Sequence, residues 1–284
     1  MSLADEKEES VKSERWQKGI KSLKDGLAHI YKTKEFADVH FVVGVRTFKA
    51  HRLILAARSP VFSKMLLKKQ TDSSTIMKEI IEDVTEDGFE ILLEYIYTDK
   101  LNDVDKDTLL DAHRAASTFQ QKGLLRLCEE RIAKWDITCD NVCSLLNQLS
   151  DIQSMKMRCL QFLKENALQV LCSDGLGQAT AHTFWLMFEG GYFQRASPMA
   201  RLRNAVRWAR EQLPDNSDYS MVRDLLLKTR PILGKCSLEE LGSTDLATII
   251  AEYKNLLTPE ESTAFFVNIH SPGSMPLPSW CKPE

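Results

Sequence analysis

No stretch of this sequence is apolar for more than a few residues. Leu53 to Ala57 is typical, far short of the roughly 20 residues needed to span a bilayer. No charge sign dominates either. Thirty-seven Lys and Arg stand against 40 Asp and Glu, a net charge of −3, which removes the basic surface that a polyphosphate backbone requires and excludes generic nucleic-acid binding. Cys-x-x-Cys pairs are absent. The seven cysteines (Cys128, Cys139, Cys143, Cys159, Cys172, Cys236 and Cys281) and the six single histidines have no zinc-ligand spacing, so no metal is expected. Reduced thiols in the cytoplasm, or also the nucleus, are the natural reading. The charged N-terminus MSLADEKEESVKSERWQKG has no apolar centre, and a secretory signal is not expected there.

Catalytic signatures are missing as well. The chain has no nucleophile elbow, no phosphate-binding P-loop, no His-Glu-x-x-His and no EF-hand loop, so neither an enzyme nor a cofactor is indicated. Gly175-Leu176-Gly177 is two-thirds of a dinucleotide fingerprint, but position 180 is Thr and no strand precedes it. A helix–helix loop is the expected reading. His51 lies close to Asp38 across a predicted hairpin. With no nucleophile or metal partner, the pair reads as a buried structural network. Arg203, Arg207 and Arg210 share one helix face and read as solvated. Glu79, Glu82, Asp83, Glu86 and Asp87 read as solvation of a strand edge and a helix start.

What is present is ample core material: 43% of 284 residues are hydrophobic and 27% charged, the composition of a globular protein of about two domains. Residues 1–15 are a charged run expected to be disordered. Trp16, Ile20, Leu23, Leu27 and Ile30 are spaced 4, 3, 4, 3, one seam of a helix. Gly19 and Gly26 weaken that helix by roughly 1 kcal/mol each relative to Ala. A helix placed ahead of the first strand needs a surface to cover it, from its own chain or from a partner.

Ala37 to Ala50 predicts a β-hairpin turning at Gly44. Ser59-Pro60 predicts a helix start, with Val61, Phe62, Met65 and Leu66 on its apolar face. Ile76 to Val84 predicts a strand. Thr85 predicts an N-cap, followed by Phe89, Leu92, Leu93, Ile96 and Tyr97 at helical spacing. Helices are predicted over 105–118 and 121–135. Beyond Trp135 no strand pattern remains. Asp140 is the expected cap of a helix bearing Val142, Leu145, Leu146 and Leu149, and further helical faces follow. The fold class is therefore an α+β first half, a short sheet flanked by helices, followed by an all-α second half. Four of the nine prolines fall from residue 272 onward, and 269–284 reads as an extended tail.

The blocks Ala37-Asp38-Val39-His40-Phe41-Val42-Val43-Gly44, Phe48 to Ala56, Ser59-Pro60-Val61-Phe62 and Leu92 to Asp99 resemble a BTB (POZ) domain, over about residues 16–135. The helical half, 136–268, resembles a BACK domain through Asn141 to Leu146 and Ala205 to Ala209. The resemblance is closest to members that carry a PHR β-sandwich after BACK, and no counterpart of that sandwich is seen. It implies a homodimer, with Trp16, Ile20, Leu23 and Leu27 in the interface. It also implies a non-enzymatic adaptor that binds the N-terminal domain of cullin-3 and brings a protein substrate to ubiquitination. By the same analogy the cullin-facing residues are Phe62, Met65, Leu66, Gln70 and Asp72. The family signature there is an apolar residue, any residue, then Glu; this chain has Gln70-Thr71-Asp72. Losing an apolar anchor costs about 1–3 kcal/mol, ten- to a hundred-fold in affinity. The competing expectation is a dimeric scaffold or transcriptional co-regulator that does not bind cullin-3.

Overall fold

The alternation of Val39, Phe41 and Val43 becomes an inward-facing row. A computed structural model describes residues 19–67, 76–228 and 231–281, and the chain divides into two units between Trp135 and Asp136. In the first unit, β1 (Val39–Val43) lies at the centre of a three-stranded sheet between β2 (Arg46–Ala50) and β3 (Met77–Ile81). β1 and β2 are antiparallel, with Phe41 opposite Phe48; β1 and β3 are parallel, with Val39 opposite Met77. The hairpin turns at Gly44, whose φ of 55° suits a residue without a side chain. β3 is shorter than Ile76 to Val84, because its pairing with β1 ends at Ile81.

Helices cover this sheet. α1 (Leu23–Thr33) precedes it, α2 (Arg52–Arg58) and α3 (Pro60–Leu67) follow β2, and α4 (Glu86–Thr98), α5 (Lys106–Thr118) and α6 (Lys122–Ile132) follow β3. Local signals set their starts. Ser59 Oγ accepts from the Phe62 N–H at 3.2 Å and donates to the Phe119 carbonyl at 2.7 Å, so one hydroxyl caps α3 and ties it to the end of α5. Thr85 caps α4 through the Gly88 N–H, with Glu86 and Asp87 at the positive end of the helix dipole. The core is aromatic. Phe62 stacks on Phe119 with centroids 4.5 Å apart, Phe41 meets Phe62 and Phe89 at 5.4 Å, and Phe89 meets Phe119 at 5.7 Å. Truncating such a side chain to Ala typically costs about 3–5 kcal/mol.

The seam expected from Trp16 onward is interrupted. α1 begins at Leu23, because Ser22 is in an extended conformation and its side chain accepts the Asp25 N–H. Ile20 therefore precedes the helix, and its side chain lies against Gly26. Trp16 lies outside the described residues.

The second unit is helical: α7 (Val142–Gln148), α8 (Gln153–Cys172), α9 (Ala181–Glu189), α10 (Pro198–Glu211), α11 (Tyr219–Lys228), α12 (Ser243–Glu252) and α13 (Pro259–His270). Trp208 stacks on Phe184 at 4.2 Å and donates to the Ala179 carbonyl at 2.8 Å. The expected cap Asp140 is displaced by one position. Asn141 precedes α7, and its side chain accepts the Thr138 N–H at 2.8 Å.

The Pro-rich tail departs from the extended reading as far as it is described. Trp280 packs on Phe265 at 5.9 Å and donates its indole N–H to Glu261 Oε1 at 2.7 Å. Asn268 receives the Gly273 N–H and donates to the Met275 carbonyl. The anchor is Glu261, which also accepts both arms of the Arg223 guanidinium, at 2.7 and 2.8 Å, and the Thr258 N–H at 2.9 Å. Burial by itself would raise the Glu261 pKa; the Arg223 fork, the Thr258 amide and the indole outweigh it and hold it below the ordinary value. A carboxyl with a depressed folded pKa contributes stability above the ordinary carboxylate range and loses it as pH falls through the folded value. Glu261→Gln is therefore expected to cost about 2–3 kcal/mol at neutral pH, since it leaves a largely buried guanidinium unmatched, and less on acidification. Urea unfolding of both chains across pH checks this; a penalty that does not change with pH contradicts it.

Candidate protein-interaction surface

The face of α3 carrying Phe62 and Leu66 is turned inward. Phe62 is fully buried and Leu66 nearly so, at 0% and 1% exposure. Neither can touch a partner without opening the aromatic core, so both leave the cullin-facing set. Met65 is half-buried on the same helix. Gln70 and Asp72 lie outside the described residues. The assignment came from the resemblance, which places a helix at a surface without saying which of its apolar side chains the chain's own core covers.

The apolar side chains that do reach solvent are elsewhere. Leu53 on α2 is 81% exposed and Leu23 on α1 is 80% exposed. α1 has no buried residue at all. Leu27 and Ile30 are only partly covered, and Ile20 likewise. α1 rests on α4 through Tyr31, whose hydroxyl donates to the Glu90 carbonyl at 3.4 Å and whose ring meets Tyr97 at 5.3 Å. Phe36, between α1 and β1, is 80% exposed with φ of 62°.

His51 is structural, and its geometry shows why. Its Nε2 lies 2.6 Å from the Glu35 carbonyl, which can only accept, so that nitrogen carries the proton. Its Nδ1 lies 2.7 Å from the Tyr97 hydroxyl, which also accepts the His51 backbone N–H at 3.0 Å and donates its proton to Nδ1. One neutral tautomer satisfies every group, and it joins the α1–β1 connection, the start of α2 and the end of α4. Burial raises the Tyr97 phenol pKa well above its ordinary value, although the His51 N–H opposes that shift. Asp38 does not belong to this network. It is exposed, and its Oδ1 accepts the Arg52 N–H at 2.7 Å at the first turn of α2. Adjacent in the fold, Asp38 and His51 bind different partners because the carboxylate points to the helix start and the imidazole points under it.

The remaining candidates are also absorbed by structure. Arg46 on β2 reaches Asp87 at 3.0 Å and Glu90 at 2.5 Å, and Glu86 Oε1 accepts the Val45 N–H at 2.7 Å. Glu86 and Asp87 of the acidic cluster, with Glu90, thus fasten the hairpin to α4. Arg207 donates to the carbonyls of Leu171 and Ser173 at the end of α8, at 3.0 and 2.8 Å, while Arg210 stacks on Tyr219. Gly175 sits so close to the Asp140 carbonyl that a Cβ would lie 2.2 Å from it. Close packing, rather than phosphate, explains that glycine. Burial raises the thiol pKa of Cys128, Cys143 and Cys236 to about 12, which makes these groups poor nucleophiles. Among the described residues, no cluster of His, Cys, Asp or Glu is placed to hold a metal, and no helix is long and apolar enough to cross a membrane.

The first unit is thus a short sheet covered by helices that leaves apolar side chains such as Leu23, Phe36 and Leu53 at its surface. Residues 27–135 match the BTB/POZ domain family, and the chain carries a BTB/POZ domain there. Such domains self-associate and bind partner proteins in general. Among curated relatives, the chain is 27% identical over 267 residues to BTB/POZ domain-containing protein 6 of Homo sapiens, covering 89% of this chain and 47% of that protein. It is 33% identical over 146 residues to BTB/POZ domain-containing protein 9 of Rattus norvegicus, covering 50% of this chain and 24% of that protein. The chain thus spans at most about half the length of these relatives. Among solved structures, the BTB domain of zebrafish PATZ1 aligns at 23% identity with a TM-score of 0.34, covering 39% of this chain and 89% of that one.

The His51 network yields a direct test. Tyr97→Phe removes one oxygen and leaves two buried His51 groups without partners, an expected loss of about 2 kcal/mol in urea unfolding with the fold retained. A loss within the scatter of surface substitutions contradicts the network.

Proposed function

We propose that this chain is a homodimeric adaptor of the BTB–BACK type, which engages the N-terminal domain of cullin-3 through its BTB/POZ unit and carries a protein substrate to ubiquitination. One observation carries the dimer: α1 leaves Leu23 in water and buries none of its residues. Fully burying a Leu is worth about 1.5–3 kcal/mol, and a second copy of the same helix region supplies a matching apolar surface. The BACK assignment is supported by the seven α-helices among the described residues of the second unit and by the Asn141 to Leu146 and Ala205 to Ala209 blocks. Seven free cysteines fit a reducing compartment, cytoplasmic or nuclear.

The cullin arm has specific opposition. With Phe62 and Leu66 in the core, contact falls to Met65, exposed parts of α2 such as Leu53, and the segment holding Gln70-Thr71-Asp72. That segment lacks the apolar anchor. The observation favours a second reading, a dimeric scaffold or transcriptional co-regulator that acts without cullin-3.

Two measurements separate these. Leu23→Glu combined with Leu27→Glu places two charges in the apolar face and is expected to weaken self-association at least tenfold by light scattering. An unchanged dimer removes α1 from the interface. Calorimetric titration of the wild-type chain with the cullin-3 N-terminal domain is expected to show saturable micromolar or tighter binding. A dimer that gives no heat up to tens of micromolar makes the scaffold the function.

A further inference from the structure

Arg201 is the most deeply buried arginine described in the second unit, 7% exposed on α10, and its Nε finds no acceptor among the described residues. Buried guanidinium groups normally use all their donors. Here one terminal nitrogen donates to Ser237 Oγ at 2.9 Å and to the Lys235 carbonyl at 3.4 Å, and the other lies a loose 3.7 Å from the Glu240 carboxylate. The guanidinium lines a cavity of about 370 Å³, with Phe188 and Phe193 also in its wall. That volume falls within the range of small-ligand sites. Lys235 and Glu189 also line it, paired with each other at 2.7 Å.

We propose that this cavity recognises one carboxylate, the side chain of an Asp or Glu in a peptide partner, with Arg201 as the anchor. Glu240 is the placeholder. It stands on a short 3₁₀ turn, Leu238–Glu240, and its side chain is 61% exposed. It can therefore swing into solvent without disturbing the core. A peptide carboxylate that replaces it keeps the local balance of two cations, Arg201 and Lys235, against two anions. A phosphate dianion does not, which is why the geometry favours a monoanion. Planar guanidinium–carboxylate pairing adds direction to the attraction. The site is independent of whether the BTB/POZ unit engages a cullin.

The test follows the Arg201 Nε–H resonance in a ¹H–¹⁵N spectrum of the full chain. Four probes are titrated: N-acetyl-glutamate α-amide, N-acetyl-glutamine α-amide, N-acetyl-alanine with a free carboxylate, and inorganic phosphate. The glutamate probe is expected to shift the resonance saturably, and the glutamine probe is expected to leave it in place. Glu240→Ala removes the placeholder and is expected to tighten glutamate binding about fivefold, the worth of one exposed ion pair. A purely structural Arg201 would show no such gain. An equal response to glutamine, a response to phosphate or to the free-acid probe alone, or no response in either the wild-type chain or Glu240→Ala overturns the proposal.

Discussion

Four phenylalanines share one dry space in the BTB/POZ unit, and the disposition of the rest of that unit follows from it. Phe41 comes from the sheet, Phe62 from α3, Phe89 from α4 and Phe119 from the end of α5. Each is at most 2% exposed. Because Phe62 must face Phe119, α3 is rotated so that Leu66 follows it inward. Val61 and Met65 on the same helix stay half-buried. The Ser59 hydroxyl fixes that rotation from the backbone side by bonding Phe119 O and Phe62 N together.

α1 stands outside this cluster. It meets α4 through Tyr31, whose ring contacts Tyr97 at a tilt of 36° and whose hydroxyl donates to the Glu90 carbonyl, and it leaves Leu23 exposed. The hydrophobic effect has therefore not been used up on α1. Leu23 and its neighbours retain a favourable transfer that only another surface can realise. The proposed self-complementary dimer would cover that patch, since one surface serves both copies.

The fold was legible in the sequence wherever the signal was local. Thr85, Ser59-Pro60 and the alternation from Val39 to Val43 each need only a few neighbouring residues to specify a cap or a strand. Direction was not legible. The spacing of Phe62, Met65 and Leu66 describes a face, but what covers the face depends on Phe41, Phe89 and Phe119, distant in sequence. The start of α1 was misplaced because apolar spacing runs through Gly19 to Ser22, whereas the Ser22–Asp25 cap decides the boundary. The docking of Trp280 on Glu261 and Phe265 was hidden by proline composition. Arg201 carried no signal, since the basic face of its helix pointed to Arg203, Arg207 and Arg210 instead.

The most direct measurement is hydrogen exchange of the full chain at two concentrations well above and well below the association midpoint. If a second copy covers α1, the amides of Leu23–Thr33 gain protection with concentration, while those of α4, already packed on the phenylalanines, do not change. Equal exchange of α1 at both concentrations, with the mass of a single chain throughout, would contradict the account.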